Sequence, residues 1–162
     1  MGECSRCGGR VEALVAERTV DVAGHSFSAE LPASRCVACH DCSFEAAAFE
    51  RFEVLAASRL ADAGLSTGEA FAFMRRALAL ETEVLATLLT VPPQQLTRWE
   101  RYDFVPRSAI EIVGGLIRAK LEGKAPAKPD PRTALDILMS YRSPRPLAKA
   151  VWLDLSVVPV AS

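Results

Sequence analysis

Four of the five cysteines fall in two Cys-x-x-Cys pairs, Cys4 with Cys7 and Cys36 with Cys39, with 28 residues between the pairs. Each pair can present two thiolates from one tight turn. Two such knuckles brought together by a hairpin place four sulfurs in the tetrahedron that zinc prefers. Gly8-Gly9, directly after the first pair, suits a turn whose backbone must approach the metal. Four thiolates leave no position open for water or substrate, so the expected cofactor is one structural Zn2+. Such an ion contributes directly to folding in a segment with little core of its own. The stretch "CVACHDC" offers a second frame, Cys39 with Cys42, and His40 lies within reach. The frame Cys36/Cys39 is preferred because it mirrors the first pair. His25 and His40 are read as solvated or as neighbours of the ligands.

A knuckle pair needs a frame. Between the pairs, "RVEALVAERTVDVAGHSFSAEL" is rich in valine and partly alternates, which predicts two or three short strands with a turn near Ala23-Gly24. Residues 44–63 predict one helix, with Phe49, Phe52, Ala56 and Leu60 on a stripe and Gly64 as the stop. Residues 66–122 predict four or five short helices. Gly114-Gly115 interrupts the last stripe. Either it marks a close helix approach at a dimer contact, or it is a kink or helix end. "EGKAPAKPDPRT" reads as a linker. Beyond it, "TALDILMSY" suits a short helix and "WLDLSVVPV" alternates like a strand. Its apolar Trp152, Leu153, Leu155 and Val157 predict that the tail docks on its own body or on a partner subunit. The expected fold class is α+β. A zinc-binding domain spans 1–43, a linking helix 44–65 and an all-α helix-turn-helix domain 66–122. A linker and C-terminal extension occupy 123–162.

A second candidate chemistry lies in "QQLTRWERYDFVP", Gln94 to Pro106. The pattern predicts two helices that meet at Thr90-Val91-Pro92, the second opening on Pro92-Pro93, where a proline costs no hydrogen bond. Leu96 and Trp99 then face inward, and Gln94, Gln95, Thr97, Arg98 and Arg101 face outward. A glutamine can bond adenine at N6 and N7, and an arginine can grip guanine at O6 and N7. Thr97 and Arg101 suit phosphates or the groove wall. Glu100 and Asp103 oppose this reading unless they turn away. The competing interpretation is the polar side of an ordinary surface helix.

"LTRWERYDFVPRSAI" resembles the Cro/lambda-repressor-like (XRE) helix-turn-helix family. Joined to the two-knuckle segment in this order and spacing, it resembles the MqsA (YgiT-type) antitoxin family over roughly residues 1–121. The resemblance implies a homodimer that binds a palindromic operator in its own promoter as a transcriptional repressor. It also implies a zinc domain that blocks a toxin protein, typically an RNase. The family's base-reading Asn and Arg fall on Gln94 and Arg98. Its usual turn Gly and helix-capping Ser are Thr90 and Pro92 here, and residues 122–162 have no counterpart.

The formal net charge is -1, which argues against a nonspecific polyanion binder. Its distribution is uneven: residues 1–62 carry 6 basic and 10 acidic side chains, whereas the remainder is mildly basic. No apolar run approaches the length of a membrane span, and the start lacks a signal-peptide core, so a cytoplasmic location without membrane contact is expected. There is no Ser/His/Asp arrangement, Gly-rich phosphate loop or His-Glu-x-x-His motif, so the chain is not read as an enzyme. The remaining alternative is a stand-alone zinc-ribbon/helix-turn-helix regulator, or an interaction adaptor, without a toxin partner.

Overall fold

The computed structural model describes residues 2–102, 104–126, 128–140 and 143–156. Strands β1 (Val11–Val22) and β2 (His25–Cys36) form a long antiparallel hairpin in which Val22 faces His25 and Val11 faces Cys36. The two-residue turn has Ala23 at φ 50° and Gly24 at φ 80°. Positive φ at both central positions gives the turn a twist that matches the strands. Short β3 (Cys42–Phe44) adds to β2 in antiparallel fashion. Strand periodicity sends Phe27, Ala29, Leu31 and Ala33 to one face, where all are buried.

That face is covered by helix α1 (Ala46–Asp62), which buries Phe52, Leu55, Ala56 and Leu60. The helix ends where Gly64 takes φ 65°, the left-handed conformation that glycine adopts without penalty. Four helices follow, as the stripes predict. Helix α2 (Gly68–Ala77) is capped by Thr67, whose side chain accepts the Ala70 N–H. Then come α3 (Thr82–Leu89), α4 (Pro93–Tyr102) and α5 (Arg107–Leu121). One continuous apolar core runs from Val22 and Phe27 of the sheet through Phe71 and Leu85 to Ile117 of α5. The sheet is therefore not packed apart from the helices.

Gly114 and Gly115 do not end a helix, since α5 is continuous through them. A Cβ on Gly114 would sit 3.0 Å from the Ala61 Cβ of α1, and one on Gly115 would collide with Ile137. Both glycines let other helices of the same chain come close. Ile137 belongs to α6 (Pro131–Met139), which starts earlier than the linker reading allowed. Asp130 and Thr133 cap its first turn reciprocally and Pro131 opens it, a start signal hidden inside the proline-rich stretch.

The tail docks on the chain's own body. Its strand β4 (Ala150–Trp152) pairs in parallel with Ser26–Ser28 of β2, so it lies upstream of the alternating run that suggested it. Residues 157–162, which include the last four of that run, lie outside the described residues. The Ser26 N–H donates to the Lys149 carbonyl at 2.7 Å and the Leu153 N–H to the Ser28 carbonyl at 2.8 Å. Arg51 Nε reaches the Leu155 carbonyl at 2.8 Å, and Leu153 is buried. Among the described residues no helix is long and apolar enough to cross a membrane.

Candidate metal centre and exposed helix face

The hairpin brings its two ends together, so the knuckle before β1 meets the knuckle after β2. Cys4, Cys7, Cys36 and Cys39 present sulfurs that all lie within 4.8 Å of one another. Cys4 Sγ is 3.7 Å from Cys39 Sγ, and Cys7 Sγ is 3.4 Å from Cys36 Sγ. Four sulfurs at about 2.3 Å from one ion define a tetrahedron with edges of about 3.8 Å, so the donor set fits a single tetrahedral metal. Cys42 and His40 stand outside this cluster. Cys42 is exposed on β3 opposite Arg35, which removes the alternative frame.

The knuckles have matching backbones. Gly8 N–H donates to the Cys4 carbonyl at 2.8 Å, and His40 N–H to the Cys36 carbonyl at 3.0 Å. Gly8 and His40, each one residue past its second cysteine, take φ 71° and 60°. His40 thus occupies the place that a glycine fills in the first knuckle, and this geometry, not ligation, accounts for its position. Gly9 is needed for space, because a Cβ there would lie 2.9 Å from Ala38 Cβ and 3.0 Å from Cys36 Sγ. The Gly8-Gly9 pair therefore divides its work: one glycine supplies the turn and the other the close approach.

The sulfurs are electrostatically unequal. N–H groups of Cys39 and Ala38 point at Cys36 and hold its thiol down at about 6. The Gly9 N–H pulls Cys7 down, but hydrogen bonds shared with Cys36, Cys39 and Cys4 together with desolvation outweigh it and push Cys7 up to about 12. Backbone N–H groups aimed at a sulfur favour thiolate, the form that binds metal.

The second candidate site is α4. Helix α3 ends at Thr90, which takes φ 57° and ψ 43° and so makes the sharp turn without a glycine. The Val91 N–H closes it by donating to the Ala86 carbonyl at 3.0 Å. Leu96 and Trp99 are buried, and Trp99 meets Phe71 of α2 edge to face at 6.0 Å. Gly68 permits α2 to press on α4, since a Cβ there would collide with the carbonyl oxygens of Trp99 and Glu100. Gln94, Thr97, Arg98 and Arg101 are exposed, and Gln95 is half-buried at the edge of this set. Their spacing of i, i+3, i+4, i+7 puts the four exposed residues on one face.

The sequence left Glu100 as an obstacle to a polyanion partner. It points inward, where Arg75 of α2 grips it with Nε at 2.6 Å and Nη2 at 3.1 Å. Both side chains are about one-fifth exposed, at 18% and 22%. Asp103 lies outside the described residues. Sequence reasoning missed this pair. Its signal was an acid on the helix's apolar side and two arginines at the end of α2, two helices earlier. Beyond α4, Tyr102 and Phe104 are exposed at 67% and 77%.

No family model matches the chain, and neither a curated protein nor a solved structure matches it.

Proposed function

We propose that the chain is a sequence-specific DNA-binding transcriptional regulator whose N-terminal four-cysteine centre holds one structural zinc ion. The observation that carries this reading is the polar face of α4. Gln94, Thr97, Arg98 and Arg101 share one exposed stripe, and Glu100 is withdrawn from it into the Arg75 pair. A helix of this kind, set by a short turn against α3, can enter the major groove with its N-terminal half toward the bases. Gln94 would read adenine and Arg98 guanine, while Thr97 and Arg101 hold phosphates. Such helices act in pairs on two half-sites, so the active form is a homodimer on a palindromic operator.

Thiolate-only ligation favours zinc for a closed, redox-inert structural site. Cys4, Cys7, Cys36 and Cys39 would hold the ion, and the ion would fasten the open end of the β1–β2 hairpin. The toxin-blocking role rests on the resemblance to the MqsA family and makes the protein the antitoxin of a type II pair acting on its own promoter. An adaptor or stand-alone regulator is the second reading, favoured by the acidic face of the sheet described below.

The test is a titration of the zinc-loaded protein against DNA from its own promoter and against scrambled DNA of equal length, at two salt concentrations. The promoter fragment should bind at least ~1,000-fold more tightly, with affinity falling as salt rises. Equal binding to both fragments rejects sequence-specific regulation.

A further inference from the structure

Among the described residues no helix covers the outer face of the sheet, where Val15, Glu17, Thr19, Asp21, Glu30 and Pro32 are exposed, and its charge is one-sided. Strand alternation places Val15, Glu17, Thr19 and Asp21 of β1 on it, with Ser28, Glu30 and Pro32 of β2 and Trp152 of β4. It holds three carboxylates, and no Lys or Arg of the four strands shares it. The strand arginines are on the other face, where Arg18 lies over the Phe49 ring and Arg35 faces Glu12. Glu17 and Glu30 stand directly opposite each other across the strand pair, and both are exposed. Like charges in that position destabilise a sheet. Beside them the docked tail sets Trp152 opposite Ser28, 58% exposed. Val15 adds an exposed apolar side chain.

We infer that this face is a docking surface for a basic polypeptide, with Glu17 and Glu30 gripping an arginine or lysine and Trp152 stacking on a neighbouring cation. A guanidinium between two opposed carboxylates turns their repulsion into two charge-assisted contacts. An exposed indole attracts a cation to its ring face. The C-terminal segment thereby gains a role, since β4 carries the aromatic anchor to a sheet built by residues from the other end of the chain. The inference rests on reading the N-terminal half as the protein-contacting half, but it does not depend on DNA binding. The two tests therefore fail separately.

A labelled oligoarginine peptide is titrated by fluorescence anisotropy against the zinc-loaded full chain, with Trp152 emission as a second readout. Trp99 is buried, so a change in emission reports Trp152. Salt-sensitive binding is expected, weakened about tenfold or more by Trp152→Gln and by E17Q/E30Q. E17Q alone should raise the thermal midpoint of the free protein while lowering peptide affinity, a combination that a purely structural role for Glu17 does not give. The control E69Q/E83Q removes two exposed charges from helices and should leave binding unchanged. No binding at submillimolar peptide, or equal loss in the control, overturns the inference. So does a Trp152→Gln protein that folds and binds as tightly as the original.

Discussion

The knuckle end and the α3–α4 end both display short polar stretches, but they are held differently. Around the four sulfurs the buried side chains are Cys4 and Cys36 themselves, and Cys7 and Cys39 are exposed. Helix α4 buries its own Leu96 and Trp99, Trp99 against Phe71 of α2, and all belong to the continuous core. On the proposed reading an ion closes the first region, whereas packing closes the second. The difference shows that a motif's spacing fixes a ligand site nearly completely, because the ligands are its structure. A recognition surface depends on what the rest of the fold leaves outside.

Removal of the proposed metal is the strongest way to break the comparison. Chelation or Cys36→Ser should lower metal content from one ion per chain to none, and should strip hydrogen-exchange protection from the knuckles and the adjoining ends of β1 and β2. Structural zinc sites are worth ~10 kcal/mol or more of folding free energy in small domains. Helices α2 to α5 should keep their protection, being held by packed side chains. Simultaneous loss everywhere would show that the two ends do not differ as described. With its proton retained up to about 12, Cys7 must release it on metal uptake at neutral pH. Affinity should therefore rise with pH and fall on acidification, as measured by competition with a chelating dye.

The helical end is broken by sterics instead. Gly68→Ala should cost about 3 kcal/mol or more, because the new methyl meets backbone carbonyls of α4 that cannot rotate away. Denaturant unfolding measures it, and a loss below 1 kcal/mol, about the ordinary single-mutation effect, would contradict the close α2–α4 contact. At the metal end Gly9→Ala should lower metal affinity ~10-fold by crowding Ala38 and Cys36. A change in stability without any change in metal affinity would place the crowding elsewhere. The smallest effect is at the hairpin turn. Ala23→Gly should stabilise by about 0.5 kcal/mol, since Ala23 occupies φ 50°. A lower thermal midpoint would show that the turn tolerates alanine better than its geometry implies.

Much of this was legible in the sequence because the relevant signals are local. Cys4/Cys7 and Cys36/Cys39, the turn at Ala23-Gly24, the stop at Gly64 and the buried Leu96 and Trp99 follow from spacing and periodicity alone. What could not be read depends on contacts distant in sequence. The parallel pairing of β4 on β2 joins residues more than a hundred positions apart, and three-residue strands carry no periodicity of their own. Gly114 and Gly115 announced a close approach, but the partners Ala61 and Ile137 are known only from the packed helices. The inward turn of Glu100 depends on Arg75, which a single-helix reading does not see. The left-handed Thr90 and His40 stand where glycine is the usual sign, so composition gave no signal for either turn.

The central claim is that α4 reads bases with Arg98 and holds phosphates with Arg101, and those roles separate in one comparison. Arg98→Ala and Arg101→Ala are titrated against promoter and scrambled DNA over a series of salt concentrations. Arg98→Ala should lose about 1–3 kcal/mol on the promoter and little on scrambled DNA, so that specificity collapses. Arg101→Ala should weaken both alike and reduce the salt slope by about one. If both variants bind the promoter as tightly as the parent protein, α4 is a polar surface and the regulatory account is wrong.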